Sequence, residues 1–376
     1  MSWYLQHYFD PDMDHLRLKP ANGSGASADL YNLGYVQNVV TGQVLAQVMP
    51  LESVPTPDPR FILQDPILPV GPNTRIDPEH STYLLATSNG YVFYYNGLIT
   101  VKKLLNVRSD VSFQTGNIFF VGDMAVHGSV RAGFEVQANN VLIKGMVEGG
   151  SVRARRDIAI IGGARGGAGH HCMLDAGGTL RSSFLEKVET RARGNIMVEK
   201  YCLHSTVYAG ANVVIQGRAY GCTINAYGAL LVNEQLGNMA AVPTRIFLGY
   251  DPMRIRQLEK IDAQMGVLSE TITHLTAVAG HLPPDANPTT RKLAICMQNR
   301  DHLLERRATL WESLHTDEQA AEHCRLLVRG KVFPGVEVAI GRAFMTVEKP
   351  MTDVIFYLEQ DEVVVRDAPP ARTCCA

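Results

Sequence analysis

The residues with the greatest potential for chemistry in this sequence are histidines and cysteines near its middle. His170, His171 and Cys172 are adjacent, and imidazole and thiolate groups are ligands that Zn²⁺ prefers. No fourth ligand is apparent, and neighbouring residues of a strand point to opposite faces. We therefore expect a surface loop here and no metal-ligating residue. Cys202 and His204 share one face at i, i+2 and could form a nucleophile–base pair, but we expect them to be a corner pair without a catalytic role.

Three other patterns with catalytic potential are incomplete. The segment GGARGGAG (162–169) has the glycine content of a phosphate-binding loop but lacks its GK[S/T] ending and a following helix. The adjacent Cys374 and Cys375 lie in a tail that we expect to be frayed. Solenoid enzymes that cleave acidic polysaccharides need clustered carboxylates, and here the acids are spread out: Asp123, Glu135, Glu148, Asp157, Asp175, Glu186, Glu189 and Glu199. The sequence therefore predicts no catalytic, cofactor-binding or metal-binding residue.

The composition limits the class of protein. The 376 residues are 46% hydrophobic and 19% charged, which is typical of a folded chain of two or three domains. The net charge of −2 favours neither nucleic acid nor a membrane surface as partner. No apolar run approaches the roughly 20 residues that span a bilayer, and the N-terminus lacks the features of a signal peptide. The seven cysteines lack metal-type spacing, so we expect reduced thiols in a cytoplasmic protein.

A short motif recurs about every 17 residues between Asn140 and Val232. Its first half reads NVLI (140–143), DIAI (157–160), TLRS (179–182), NIMV (195–198), NVVI (212–215) and ALLV (229–232). Its second half reads SVRA (151–154), MLDA (173–176), ETRA (189–192), TVYA (206–209) and TINA (223–226), and we assign SVRA (129–132) as an earlier copy. Strands this short cannot bury a face alone, but stacked copies share one core. The repeat predicts a β-solenoid.

Alternation along each strand predicts which side chains form the core. We expect the inward residues to be Val141, Ile143, Ile158, Ile160, Ile196, Val198, Val213, Ile215, Val130, Val152, Leu174, Val207 and Ile224. Leu180 with Ser182 forms the weakest coil, and Thr190 is a polar exception. The segment 162–172 lengthens one coil, so we expect it to bulge out as a loop.

Two outward columns are candidate surfaces. The first is modestly basic and contains Arg131, Arg153, Asp175, Arg191, Tyr208 and Asn225, with Arg155, Arg156 and Arg193 nearby. We expect a solvated face there; the alternative is contact with an acidic protein, lipid head groups or nucleic acid. The second is mostly apolar: Leu142, Ala159, Arg181, Met197, Val214 and Leu231. Because apolar rows avoid water, we predict that the N-terminal domain, the C-terminal strands or a second subunit covers it.

The remaining segments differ in pattern. Residues 1–115 are a mixed, β-rich region in which Asn89-Gly90 and Asn96-Gly97 indicate hairpin turns, and 116–250 are the solenoid. In 251–329 the apolar period becomes helical, which predicts an antiparallel coiled-coil hairpin. It starts at Asp251-Pro252, turns within 281–288, restarts at Asn287-Pro288 and ends at Gly330. Strands in 330–366 return to the solenoid, and 367–376 is a disordered tail.

We place the two seams of that helical hairpin from the apolar residues spaced three or four apart. The first arm has Ile255, Leu258, Ile261, Met265, Leu268, Ile272, Leu275 and Val278, with Gly280 as its stop. The second arm has Leu293, Met297, Leu304, Ala308, Trp311, Leu314 and Ala321.

Several stretches resemble the flagellar assembly protein A family. They are GNIFFVGDMAVHGSVRAGFEV (116–136), VEGGSVRARRDIAIIGG (147–163), LGYDP (248–252), the LPP turn (282–284) and KVFPGVEVAIGRAFMTVEKPMTDVIFYLEQDEVVV (331–365). The resemblance covers roughly 83–366 in order along the chain. It implies a right-handed β-solenoid, similar to the C-terminal domain of the septum inhibitor MinC, with an inserted coiled-coil hairpin.

The resemblance also implies a function. We expect a non-enzymatic cytoplasmic scaffold or regulator of bacterial flagellar assembly or of polar placement of the flagellum. It would act through protein–protein contacts of the solenoid and hairpin, form a homo-oligomer, and bind flagellar assembly or polar-placement factors, among them a MinD-like ATPase. Two alternatives remain open: a polymer-forming bactofilin-like cytoskeletal protein, and a polysaccharide-active β-helix enzyme.

Overall fold

The computed structural model describes residues 2–13, 31–167, 169–279, 288–315 and 318–370. The chain is mainly β, with about 44% strand and 18% helix, and it forms a β-solenoid of about 8 turns with N-terminal strands and a helical insertion. Its contacts divide it into two compact units. The first comprises Met1–Ala192 with Met197–Glu199, and the second comprises Arg193–Ile196 with Lys200–Ala376. Among the described residues, no helix is long and apolar enough to cross a membrane.

The N-terminal part of the first unit consists of two antiparallel sheets. Its strands are β1 Trp3–His7, β2 Asn38–Val39, β3 Val44–Pro50, β4 Ile62–Leu63, β5 Thr74–Ile76, β6 Tyr83–Ala86, β7 Gly90–Tyr95 and β8 Leu98–Lys102. One sheet has the order β4-β1-β3-β6-β5 and the other β2-β7-β8. Single 3-10 turns cover Leu51–Ser53 and Pro59–Phe61. Together the two sheets enclose one apolar core.

Only one of the two predicted Asn-Gly hairpins forms. Asn96 and Gly97 both have positive φ angles, 50° and 75°, and join the paired strands β7 and β8. Asn89-Gly90 is not a hairpin turn, because β6 pairs with β3 and β5 while β7 pairs with β2 and β8. The Asn89 side chain instead accepts a hydrogen bond from the Thr41 backbone N–H at 2.9 Å.

The rest of the first unit is built of short parallel strands. They are β9 Leu104–Val107, β10 Ile118–Phe119, β11 Asp123–Val126, β12 Glu135–Ala138, β13 Val141–Ile143, β14 Val147–Glu148, β15 Ser151–Ala154, β16 Ile158–Ile160, β17 Ala164–Arg165, β18 Cys172–Ala176, β19 Leu180–Glu186 and β20 Val188–Ala192. One sheet stacks β9, β11, β13, β16 and β19, and another stacks β10, β12, β15, β18 and β20. The first coil strand therefore begins at Leu104, before the predicted start at 116.

The predicted inward residues form the core of these coils. Val136, Val152, Leu174 and Thr190 are in register, as are Val141, Ile158 and Leu180, and all are buried. The assignment of SVRA (129–132) was wrong. EVQA (135–138) pairs with SVRA (151–154), whereas Val130 bridges Val111 and Val147 in a third column of the coil.

That third column also corrects the predicted loop at 162–172. Within it, β17 pairs with β14 on one side and with the second half of β19 on the other, so Ala164 and Arg165 are part of the coil. Cys172 is the buried first residue of β18. Within the predicted loop, Gly162, Gly163 and the residues between Arg165 and Cys172 lie outside the strands, and Ala168 is not among the described residues.

The second unit continues the same pattern. Its strands before the insertion are β21 Ile196–Leu203, which begins at the division between the units, β22 Thr206–Ala209, β23 Val213–Ile215, β24 Arg218–Tyr220, β25 Thr223–Ala226, β26 Leu230–Val232, β27 Gln235–Leu236 and β28 Thr244–Leu248. Val213 is in register with Leu230, and Val207 with Ile224.

Two long antiparallel helices are inserted after β28. They are α1 Pro252–Ala279 and α2 Pro288–His315, followed by the short α3 Glu318–His323. Asp251 caps α1 as predicted, since its carboxylate accepts a hydrogen bond from the Met253 backbone N–H at 2.9 Å. The antiparallel arrangement brings Asp262 of α1 within 2.6 Å of Arg307 of α2. Helix α2 begins at Pro288, where the restart was predicted, while residues 281–287 of the predicted turn and the Gly280 stop lie outside the described residues.

The strands after the helices both resume and close the coils. They are β29 Arg325–Val332, β30 Val336–Ile340, β31 Ala343–Thr346, β32 Met351–Glu359 and β33 Glu362–Asp367. β29 pairs in parallel with β26 and β27, and β30 with β28, whereas β31, β32 and β33 are antiparallel.

The predicted end of the helical segment at 329 was wrong, because the leucines and valines of β29 continue the coil column from Arg325. The predicted tail is ordered through Pro370, where Arg329 donates to the Pro369 carbonyl at 2.6 Å; 371–376 are not described.

Candidate interaction surface

The histidine and cysteine candidates do not converge on a site. His170 and His171 are exposed, whereas Cys172 is buried, and its burial raises the pKa of the thiol to about 12. A thiol held protonated is a poor metal ligand and a poor nucleophile. Within the part of the chain that the structure describes, no cluster of three metal-binding side chains occurs.

The pair Cys202 and His204 is separated by the corner that follows β21. Cys202 is buried, and its Sγ lies 3.6 Å from the Sγ of buried Cys222. His204 is exposed, has a positive φ of 48°, and stacks edge-on against Tyr220. The thiol and the imidazole therefore do not share a face, and the corner interpretation is the one that fits.

Four of the eight coil acids named above form ion pairs between coils. Glu135 pairs with Arg153 at 2.9 Å, and Arg131 contacts Glu148 at 2.6 Å. Further pairs join Arg165 to Glu186 and Arg191 to Asp175. A carboxylate that is ion-paired with a guanidinium group contributes a contact between coils and is not available as one of a pair of catalytic acids.

The same ion pairs change the interpretation of the basic column. Arg153, Asp175 and Arg191 are in register on adjacent strands, as predicted, but each arginine has an acidic partner. Arg131 is not a member, because it follows Val130 in the third column of the coil. Tyr208 and Asn225 were predicted to point outward, but both are buried. These arginines therefore present little net positive charge, while Arg155 and Arg156 remain exposed.

The apolar column is only half-buried. In the first unit Leu142 and Ala159 are in register beside exposed Arg181. In the second unit Val214, Leu231 and Leu327 form the equivalent row. Its predicted cover by another element or subunit stays a prediction.

The helical hairpin carries the most unusual surface. The half-buried positions of α2, which face α1, repeat at intervals of three and four: Leu293, Cys296, Arg300, Leu303, Arg307 and Leu310, ending at buried Leu314. The predicted seam was displaced by one residue over most of α2. Two of the true positions, 300 and 307, are arginines, and a search for apolar residues at helical spacing does not select them. Their charges are met by Asp301 and Asp262, at 2.8 and 2.6 Å.

Four of the seven residues first assigned to that seam, namely Met297, Leu304, Ala308 and Trp311, are exposed instead, whereas Leu293 is half-buried and Leu314 and Ala321 are buried. Met297, Leu304 and Trp311 follow one another at intervals of seven on α2, with 38%, 42% and 43% of their surface exposed. The Arg307 guanidinium lies 5.9 Å from the centre of the Trp311 ring. We call the positions Ala294, Met297, Asp301, Leu304, Ala308 and Trp311 the α2 stripe. Exposed Met, Trp and Arg side chains are enriched in protein interfaces.

The base of the hairpin is packed against its own unit. Leu258, Ile261 and Leu314 are buried, and the Tyr208 hydroxyl of β22 donates a hydrogen bond to the Glu259 carboxylate of α1. Gly249, with a φ of 89°, precedes α1 where a Cβ would approach the Ala321 Cα to 2.9 Å. The hairpin therefore starts from a fixed base, and the part of the α2 stripe from Ala294 to Leu304 lies farther along the hairpin.

A comparison with protein families identifies the coils. The family described as the Flagellar Assembly Protein A beta solenoid domain matches residues 103–363, well over half of the chain. The matched segment starts next to the first coil strand at Leu104 and ends within β33. No curated protein and no solved structure matches the chain. On the strength of this match across both coil segments and the inserted helices, the chain belongs to the flagellar assembly protein A family.

Proposed function

We propose that this protein is a non-enzymatic, cytoplasmic scaffold or regulator of flagellar assembly, and that its helical hairpin is the surface that other proteins bind. The family match supports the link to flagellar assembly. The observation that carries the hairpin assignment is the α2 stripe, whose large apolar residues are exposed. Several acids and arginines of the coils are already paired with each other, so fewer unpaired charges remain there for a charged ligand to bind.

The partners would be factors that assemble the flagellum or place it at the cell pole, including a MinD-like ATPase. The family resemblance implies coils similar to the MinC C-terminal domain, and on that basis an ATPase of that type is a candidate. Purified MinD-like ATPases of the same bacterium can be immobilised and tested for binding of the full chain. Binding that depends on ATP would support this partner, and its absence would remove it from the candidates.

The proposed function predicts that the distal hairpin is required in cells. In a strain lacking the protein, the full chain should restore motility and flagellar number. A shortened variant, in which a Gly-Ser linker replaces residues 263–306, should not. It keeps Asp262 and Arg307, which lie 2.6 Å apart, and the buried Leu258, Ile261 and Leu314.

The matched control changes the coils and leaves the hairpin intact. The double variant Arg155→Ala and Arg156→Ala removes two exposed coil arginines and should restore motility fully. If the shortened hairpin complements and the arginine variant does not, the binding surface is on the coils and the hairpin proposal is wrong. If neither the variants nor the full chain restore motility or flagellar number, the proposed flagellar role is wrong.

Two other functions have less support. A bactofilin-like polymer would stack coils end to end, and the antiparallel strands β31, β32 and β33 at the C-terminal end of the second unit oppose free parallel pairing there. A polysaccharide-active enzyme would need acids free for catalysis. Filaments in electron micrographs would favour the first, and turnover of an acidic glycan the second.

A further inference from the structure

We infer that the α2 stripe binds the α2 stripe of a second copy of this chain, with the two helices antiparallel. The stripe and the seam toward α1 are separate faces of one helix. At 100° per residue, the stripe is centred about a quarter-turn from the seam, which is the angle between neighbouring contacts in a four-helix bundle. One α2 helix can therefore contact its own α1 and a second α2 at the same time. The inference uses the same α2 stripe as the proposed function, so self-association and binding of another protein would compete for this surface. The dimer itself requires no flagellar partner.

The spacing of the stripe is that of a helix–helix contact. Its six residues follow one another at intervals of three, four, three, four and three, from Ala294 to Trp311. Such a repeat holds side chains on one line along a helix that packs against another helix. The repeat spans 18 residues, or about 26 Å at 1.5 Å per residue.

Side-chain size favours the antiparallel direction. Placing Ala294 opposite Trp311 of the second copy also places Met297 opposite Ala308 and Asp301 opposite Leu304. Each of the two largest residues then meets an alanine, which lets the helices approach closely. A parallel pair would instead place Asp301 against its own copy, and Trp311 against its own.

Charge complementarity supports the same direction. The exposed residues beside the stripe are Arg291, Gln298, Glu305 and Glu312, so this edge of α2 changes from positive to negative along the helix. In the antiparallel pair, Arg291 lies beside Glu312 of the second copy at both ends of the contact. Asp301, the single acid within the stripe, is neutralised by Arg300 at 2.8 Å.

The contact is short, so we expect a weak dimer. Interfaces smaller than about 1,200 Å² are typical of transient complexes. Sedimentation velocity of the full chain from about 1 to 200 μM should show a shift from 41.3 kDa toward twice that mass. A chain that stays at 41.3 kDa throughout this range overturns the inference.

Point variants test the stripe itself. Leu304→Glu should abolish the dimer at about 200 μM, because the carboxylate would be buried beside Asp301. The matched control is Val267→Glu, which places the same charge at an exposed position of α1. It should leave the dimer unchanged. Circular dichroism checks that both variants keep their helices. A dimer that survives Leu304→Glu, or is lost equally in Val267→Glu, overturns the assignment to the stripe.

A charge exchange tests the direction. Arg291→Glu alone and Glu312→Arg alone each place like charges together twice per dimer and should weaken it by roughly fivefold or more. The double variant restores opposite charges and should return the dissociation constant to within about twofold of the original. If the double variant stays as weak as the single ones, the antiparallel register is wrong.

Discussion

In several coils a side-chain oxygen accepts a hydrogen bond from the backbone of the next coil. In the first unit Asp123, Asn140 and Asp157 occupy equivalent positions, and each accepts a hydrogen bond from the backbone N–H of the residue one coil later, the last being Thr179. In the second unit Asn195 accepts from the Asn212 N–H in the same way. Asn140 has a double role, because its Nδ2 also donates to Asp123 at 2.8 Å. An amide can donate from its nitrogen and accept at its oxygen, whereas an ionised carboxylate can only accept.

This double role makes Asn140 sensitive to a small change. Asn140→Asp should lower the free energy of unfolding by about 1 kcal/mol, because it loses the donor and places a second carboxylate beside Asp123. Asp157→Asn keeps the acceptor for Thr179 and should change stability by less than about 0.5 kcal/mol. Urea unfolding of both variants measures the difference, and equal losses would contradict the hydrogen-bond ladder.

His7 should make the N-terminal sheets sensitive to acid. Burial lowers the pKa of its ring from 6.5 to about 4, and the aromatic rings of Phe9, Phe61 and Tyr94 surround it. Between these two values the unfolded state binds a proton that the folded state does not, so stability falls as the pH falls from about 6.5 to about 4. NMR titration of the ring and urea midpoints at pH 7 and pH 5 would measure this.

The His7→Phe variant should have a smaller difference between its two urea midpoints, since it removes the titrating group. The exposed His80→Gln variant should keep the wild-type difference. A wild-type difference that persists in His7→Phe would show that another group causes the acid sensitivity.

At the scale of elements, the hairpin is anchored through a few buried residues near its base. Leu258→Ala should cost about 2–3 kcal/mol, because this side chain is only 6% exposed and its loss leaves a cavity. Val267→Ala, farther along the same helix and 67% exposed, should cost less than about 0.5 kcal/mol. Urea unfolding followed at the helical circular dichroism band compares the two, and similar losses would contradict an anchored base.

The secondary-structure elements also show which features could be predicted from sequence patterns and which could not. Apolar alternation predicted the core of the coils. Each strand is so short that its inward side chains can pack only on the equivalent side chains of the neighbouring coils. The third column, with β14 and β17, was missed because strands of two residues have no period. The α2 seam was misplaced because Arg300 and Arg307 occupy it, and their role depends on partners that no local pattern reveals. The exposed α2 stripe was visible as a pattern, but only the structure distinguishes it from the seam.

At the scale of the whole molecule, the chain contains more than one core. The N-terminal sheets bury a cluster of their own, including Leu5, Leu45, Leu84 and Ile99, and lie outside the family match. Leu84→Ala should therefore increase hydrogen exchange in β1, β3 and β6 while β25 and β28 stay protected. The exposed Leu98→Ala is the control. Increased exchange in every strand would mean that the chain unfolds as one unit.

The position of the hairpin between β28 and β29 has a consequence for divergence within the family. Each long helix has 28 residues, or four heptads, and the strands on either side pair with preceding coils rather than with the helices. Insertion or deletion of one heptad in both arms would change the reach of the hairpin by about 10 Å. It would leave the seam in phase and the hydrogen bonds of the coils untouched. Relatives can therefore acquire hairpins of different length in seven-residue steps on an unchanged set of coils.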